Sequence, residues 1–276
     1  MIQIRILITL MAVFFTLSAG ATPPSAQEGV LSLNTSEFRQ AGMAQLDGDW
    51  AFYWQQLLSP AELEAEPSRS STISIPGLWN KGAIEGVSYD AFGYATLVLT
   101  IELPKEKQNY LLKMQSLPSA YKLWANGDVV AENGVVGRDQ DSEQPWFSPK
   151  VVPIYVDKAS LQLVLQISNF HHKEGGVWRS FILATPDHLF DIRDLPVISD
   201  AFLFALLFAI GLYYVALFIM RRKERAAFWF GLFCLAIGSR SILVGERLFY
   251  GFDIGFSWST LQRLEHILFF LCLPGW

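Results

Sequence analysis

Few side chains in this sequence could do chemistry, and they lie far apart. His171 and His172 stand together, Glu62 and Glu64 sit two residues apart, and Trp79, Trp124, Trp146 and Trp178 are spread through the middle of the chain. Adjacent imidazoles suggest a metal ion, but neighbours in a strand point to opposite faces and chelate one ion poorly. There is no zinc-type histidine pair at helical spacing, no Gly-x-Ser-x-Gly elbow, no phosphate loop and no dinucleotide fingerprint. Glu62 and Glu64 read as the solvated face of a short helix. No catalytic residue, metal or cofactor is therefore expected. What remains is recognition. An indole offers a flat apolar face to a sugar ring and a polar N–H at its edge. Trp79, Trp146 and Trp178, with His171 and His172 on a loop at a sheet edge, are the candidate ligand contacts. Packing in a core is the plain alternative for each indole, and it is the reading for Trp50 and Trp54, which lie on an alternating apolar face.

Those residues need a scaffold, and the hydropathy pattern supplies one. The chain has 276 residues, 51% hydrophobic, with a net charge of -5. The acidic balance and the lack of a basic stripe argue against nucleic acid as a partner. From Val30 to about Thr185 the apolar residues recur with period two. Leu46, Trp50, Phe52 and Trp54 alternate with Asp47, Asp49 and Tyr53; Leu97, Leu99, Ile101 and Leu103 alternate with Val98, Thr100 and Glu102; Leu161, Leu163, Leu165 and Ile167 alternate with Gln162, Gln166 and Ser168. Each run puts one face on a core and a mixed face towards solvent. Asn126-Gly127 predicts a tight hairpin, because both central positions need positive φ. Pro76-Gly77, Pro104, Pro118 and Pro153 punctuate the other runs. Short strands at this spacing predict an all-β sandwich or jelly roll. A short helix is predicted from Pro60 to Glu66, capped by Ser59. Both cysteines, Cys234 and Cys272, lie in the C-terminal apolar region, so the β domain needs no disulfide.

The two ends of the chain differ from the middle. Arg5, the apolar run Ile6 to Leu17 and Ala19-Gly20-Ala21 read as a signal peptide over residues 1–21, with an uncleaved anchor as the alternative. A charged connector is expected over 186–199. Ala201 to Met220 then runs twenty residues without a charge, enough to cross a hydrocarbon core of about 30 Å at about 1.5 Å per residue. Arg221-Arg222-Lys223-Glu224-Arg225 follows; its cations predict a cytoplasmic loop, which agrees with export of the preceding domain. A second span is expected over 226–244 and a third over 261–276, joined by an aromatic loop. The third stops inside an apolar stretch, which reads as a chain cut short. Arg240 lies in the second span. An intramembrane charge is commonly paired or functional, with Glu246, Glu265 and Asp200 as candidate partners and snorkelling as the alternative.

Several stretches, taken together, resemble known families. Leu46-x-Gly-x-Trp50, Pro76-Gly-x-Trp79, Gly93-Tyr-Ala-Thr96 and Trp124-Ala-Asn-Gly127 follow in the order seen in the galactose-binding-like jelly roll of some β-glycosidases. That domain, joined to a span with a basic loop and to FGLFCLAIGSRSILVGERLFYG and LQRLEHILFFLCLP, resembles the bacterial seven-transmembrane receptors with diverse intracellular signalling modules. The resemblance implies a galactose-binding-like β-sandwich over 28–185 in the periplasm and a multi-span domain over 200–276 in the inner membrane. It also implies a small ligand, carbohydrate-like in character, and a cytoplasmic output module that this chain does not contain. The expected partners are that ligand and the lipid bilayer, with a homodimer compatible. A membrane-tethered carbohydrate-binding accessory protein and a purely structural sandwich are the competing readings.

Overall fold

The computed structural model describes residues 23–65, 71–104, 107–246 and 258–272. The expected signal peptide, most of the aromatic loop after Gly245 and the last four residues lie outside these.

Fifteen strands form in chain order: β1 (Val30–Ser32), β2 (Met43–Gln45), β3 (Gly48–Trp54), β4 (Ser71–Ile75), β5 (Gly77–Leu78), β6 (Ala83–Ile84), β7 (Val87–Ser88) and β8 (Gly93–Glu102), then β9 (Gln108–Met114), β10 (Ala120–Ala125), β11 (Asp128–Asn133), β12 (Lys150–Val156), β13 (Ser160–Asn169), β14 (Gly176–Val177) and β15 (Ile182–Ala184). Among the described residues five α-helices accompany them: α1 (Ser36–Ala41), α2 (Pro60–Ala65), α3 (Leu195–Met220), α4 (Arg225–Val244) and α5 (Trp258–Cys272).

The main sheet has seven strands in the order β11-β10-β13-β8-β3-β4, with β1 added parallel on β8 beyond the end of β3. The second sheet has four strands, β12-β9-β15-β2, all antiparallel. One core lies between them, so the domain is a β-sandwich. The main sheet contributes Trp50, Phe52, Leu97, Leu99, Leu163 and Leu165; the second contributes Tyr110, Leu112, Met114, Ile154 and Leu183. Burying each such side chain stabilises by about 1.5–3 kcal/mol before chain entropy is counted. Trp50 bridges the layers: its ring meets Phe181 edge-on at 5.6 Å. Its Nε1–H donates to the Leu46 carbonyl at 3.0 Å, so the indole is buried without losing a hydrogen bond.

Local chemistry explains the turns. Asn126 and Gly127 have φ of 49° and 94° and join β10 to β11 as a two-residue hairpin. Ser59 and Glu62 form a reciprocal cap at the start of α2: Glu62 Oε2 accepts from the Ser59 N–H at 2.8 Å, and Ser59 Oγ accepts from the Glu62 N–H at 3.4 Å. The Ser59 hydroxyl, which donates to Glu62 Oε2 at 2.6 Å, and the Ser59 N–H hold the Glu62 carboxyl below its usual range.

The expected connector is helical. A 3₁₀ turn over Pro186–His188 and a π turn over Phe190–Asp194 lead straight into α3, which starts at Leu195. Pro196 lies in the first turn of α3, a position where proline is tolerated. Two helical segments, Pro186–Met220 and Arg225–Val244, are long and apolar enough to cross a membrane. They pack through small residues. A Cβ on Gly211 would lie 2.6 Å from Leu235 Cγ, and one on Gly231 would lie 2.9 Å from the Gly211 carbonyl, so the backbones approach closely here.

Candidate functional site at the junction of sandwich and helices

The outer face of the second sheet is where the β domain meets the helices. Along β9, Tyr110, Leu112 and Met114 point into the core, so Leu111 and Lys113 point out. Leu111 and Ala184 are nonetheless buried, packed with Val151 and Ile182 beneath Leu189 and Ile192 from the turns before α3. Lys113 lies on this covered face. Its ammonium, with a side chain only 4% exposed, reaches Glu246 Oε1 just past the end of α4 at 2.7 Å. A buried ammonium without a counter-ion would cost several kcal/mol, so this contact ties the sheet to that helix end. Asp200 of α3 completes it by accepting the Glu246 N–H at 2.7 Å. The fit needs glycine at 245, where a Cβ would lie 2.0 Å from Asp200 Oδ2.

A second contact lies in the segment between β11 and β12. Glu143 is fully buried, and three donors stabilise its carboxylate: Ser168 Oγ at 2.6 Å, the Phe170 N–H at 2.8 Å and His171 Nδ1 at 2.8 Å. It pins the segment that presents Trp146 and Phe147 to the helices. Phe147 is buried with Leu243 of α4 and Leu261 of α5, and Trp146, Val244, Trp258 and Leu268 pack around them. The Trp258 ring lies 5.6 Å from Phe147 and 5.8 Å from His171. His172 faces Trp178 at 4.8 Å. Burial holds the His172 imidazole below its ordinary range, against the opposing pull of Glu174 and Glu265. Among the described residues the buried Trp178 Nε1 has no hydrogen-bond partner.

The candidate residues therefore divide. Trp146, His171, His172 and Trp178 gather at one end of the sandwich, beside the start of α5. Trp79 does not join them. It is fully buried: Gly175 lies so close that a Cβ there would be 2.4 Å from the indole, Trp54 packs edge-on at 5.4 Å, and Nε1 donates to the Ala91 carbonyl at 3.3 Å. Both faces are covered, so Trp79 is a core residue and offers a sugar no surface. The two histidines turn to different partners, Glu143 and Trp178. Among the described residues no group of three or more His, Cys, Asp or Glu could hold a metal ion. Two of the expected partners of Arg240 are engaged elsewhere. Glu246 pairs with Lys113 and Asp200 bonds to the Glu246 backbone, while the Arg240 guanidinium lies 5.7 Å from the Phe269 ring centre. Glu265, in α5, acts on His172 through its charge.

Sequence reading missed Lys113, Glu143 and Phe147. One signal was present for Lys113: it is the only charge between Tyr110 and Leu117 in a run apolar on both strand faces. Nothing local marks Glu143, whose donors come from a strand and loop 25 to 28 residues later.

No family model matches the chain, and no curated protein matches it. Solved structures that resemble it include a β-galacturonidase from Eisenbergiella tayi bound to galacturonate, at 18% identity over 52% of this chain and 24% of that one, with a TM-score of 0.36. Two others are β-glucuronidases, from Ruminococcus gnavus (16% identity, 52% and 29% coverage, TM-score 0.38) and Faecalibacterium prausnitzii (17%, 52% and 31%, TM-score 0.38). The chain spans less than a third of the length of these enzymes. Likeness at this level says nothing about what the chain does.

Proposed function

We propose that this chain is the sensory part of a bacterial inner-membrane receptor. Its sandwich, a galactose-binding-like jelly roll in the periplasm, would bind a small carbohydrate-like ligand, and α3, α4 and α5 would carry the state of that domain across the bilayer. The observation that carries the reading is the double grip on the outer end of α4, by Lys113 on Glu246 and by Phe147 on Leu243. A domain merely tethered to a membrane needs only a flexible connector. Here a buried ion pair and an aromatic cluster make the helix ends part of the folded domain, and packed contacts of this kind switch between discrete arrangements. The cations of Arg221 to Arg225 support a cytoplasmic loop and hence a periplasmic sandwich. A ligand acts here only through different affinities for two arrangements of the junction.

The test uses the full chain in lipid nanodiscs, with a panel of neutral and acidic sugars and hydrogen exchange as readout. A bound sugar is expected to change exchange both in the 170–178 loop and at Leu243–Glu246. Sugar binding that leaves Leu243–Glu246 unchanged would leave a binding module without a signalling role. A reporter fused after Arg225 should remain on the cytoplasmic side; its export would overturn the topology.

A further inference from the structure

We propose that the cleft between the loop-side ends of α3 and α4 holds one anionic phospholipid. The proposal rests on the membrane reading above and adds a site to it. At Gly211 and Gly231 the two helices touch backbone to backbone. Towards the connecting loop they leave a cleft of about 380 Å³. Tyr214, Leu217 and Phe230 wall this cleft, Ala226 and Ala227 leave its floor open, and Arg221 and Glu224 both stand at its mouth. The wall is itself ordered, since the Tyr214 and Phe230 rings meet edge-on at 4.7 Å.

Arg221 and Glu224 balance at the cleft itself, and the loop around it carries the excess positive charge. Arg221, Arg222, Lys223 and Arg225 face one carboxylate, Glu224, and among the described residues none of the four cations is in an ion pair. The cations lie where the polar headgroups of the proposed cytoplasmic leaflet would be, and the apolar walls continue from them towards the bilayer interior. A ligand with a phosphate at one end and a hydrocarbon chain at the other satisfies both halves of the cleft. A soluble phosphate satisfies only the mouth, so the occupant is a lipid and not a free anion. One cation near an anionic surface is worth about fivefold in affinity.

The experiment reconstitutes the full chain in nanodiscs of phosphatidylcholine with phosphatidylglycerol and reads retained lipid by native mass spectrometry after gentle release. One phosphatidylglycerol per chain is expected, in preference to phosphatidylcholine, with Arg221→Gln lowering its retention about fivefold. Ala226→Leu narrows the cleft at an exposed position and keeps every cation; it should also lower retention. Excess glycerol phosphate should not displace the lipid. Equal retention of the two lipids, or full retention by Ala226→Leu, would overturn the site, as would displacement by glycerol phosphate. Alkaline extraction of native membranes separates this from failure of the membrane reading. A chain that stays with the membrane but retains no lipid loses only the site, whereas a chain released to the supernatant loses both.

Discussion

The two sheets of the sandwich use the same alternation and reach different ends. On the main sheet the inner face is core, and the outer face carries Thr100, Gln162, Gln166 and Lys122, all partly open to solvent. On the second sheet the centre of the outer face, around Leu111, Lys113 and Ala184, is covered by the turns before α3 and by the end of α4, while Tyr155 and Met43 at its margins stay exposed. Each sheet has an outward lysine paired with a glutamate at short range. Lys122 and Glu132 meet at 2.5 Å with side chains 36% and 52% exposed; Lys113 and Glu246 meet at 2.7 Å with side chains 4% and 14% exposed. The first pair exchanges water for a partner at almost no net gain. The second has already lost its water, so losing the partner leaves a bare charge. A hydrogen-bond distance alone does not rank ion pairs; the solvent around them does.

Substitutions at the two lysines test this most directly. Lys113→Ala is expected to destabilise the chain by about 3 kcal/mol, because Glu246 keeps a buried charge. Lys122→Ala should cost less than about 0.5 kcal/mol. Denaturant unfolding of the full chain in micelles measures both, and equal losses would erase the contrast. The double change Lys113→Met with Glu246→Leu should recover most of the loss, since replacing both charges removes the desolvation penalty as well.

Gly245→Ala probes the same contact without touching a charge. The added methyl must displace Asp200 from the Glu246 N–H, at a cost of about 1–3 kcal/mol for overpacking. Faster hydrogen exchange at Glu246, with the main sheet unaffected, is the expected signature.

Thr35→Ala sharpens the comparison at the far side of the second sheet. Thr35 Oγ1 caps α1 by accepting the Phe38 N–H at 3.2 Å, and Phe38 stacks on Tyr110 of β9 at 6.2 Å. Loss of the cap should cost about 1 kcal/mol and lower the melting temperature, leaving the Lys113 contact intact.

The smallest effect concerns pH. Burial lowers the His172 pKa from its ordinary 6.5. On acidification the unfolded chain therefore takes up this proton first, and stability is lost as pH falls below that ordinary value towards the folded one. His172→Asn should flatten the slope of melting temperature against pH in that window; an unchanged slope would assign it to another group.

Much of the sandwich was legible because its cause is local. Period two in Leu97, Leu99 and Ile101 predicts a strand and the face that is buried, and Asn126-Gly127 predicts its own turn. Ser59 and Glu62 predict a cap three residues apart. The candidate site was legible only in part. His171, His172, Trp146 and Trp178 were chosen for their chemistry and do gather at one end. Trp79 was chosen on the same grounds and lies in the core, because burial of an indole is decided by what packs over it, here Gly175 and Trp54.

By itself, the sequence determined the strands, the hairpin, the apolar helices and the absence of any familiar catalytic motif, since these follow from side-chain pattern and backbone sterics over a few residues. The tertiary structure alone decided that Lys113 meets Glu246 across 133 positions of chain. It alone decided that Glu143 receives Ser168 and His171, and that helical segments cover the centre of the second sheet's outer face at Leu111 and Lys113. Desolvation is a property of the assembled neighbourhood, and no local pattern encodes which distant group will exclude the water.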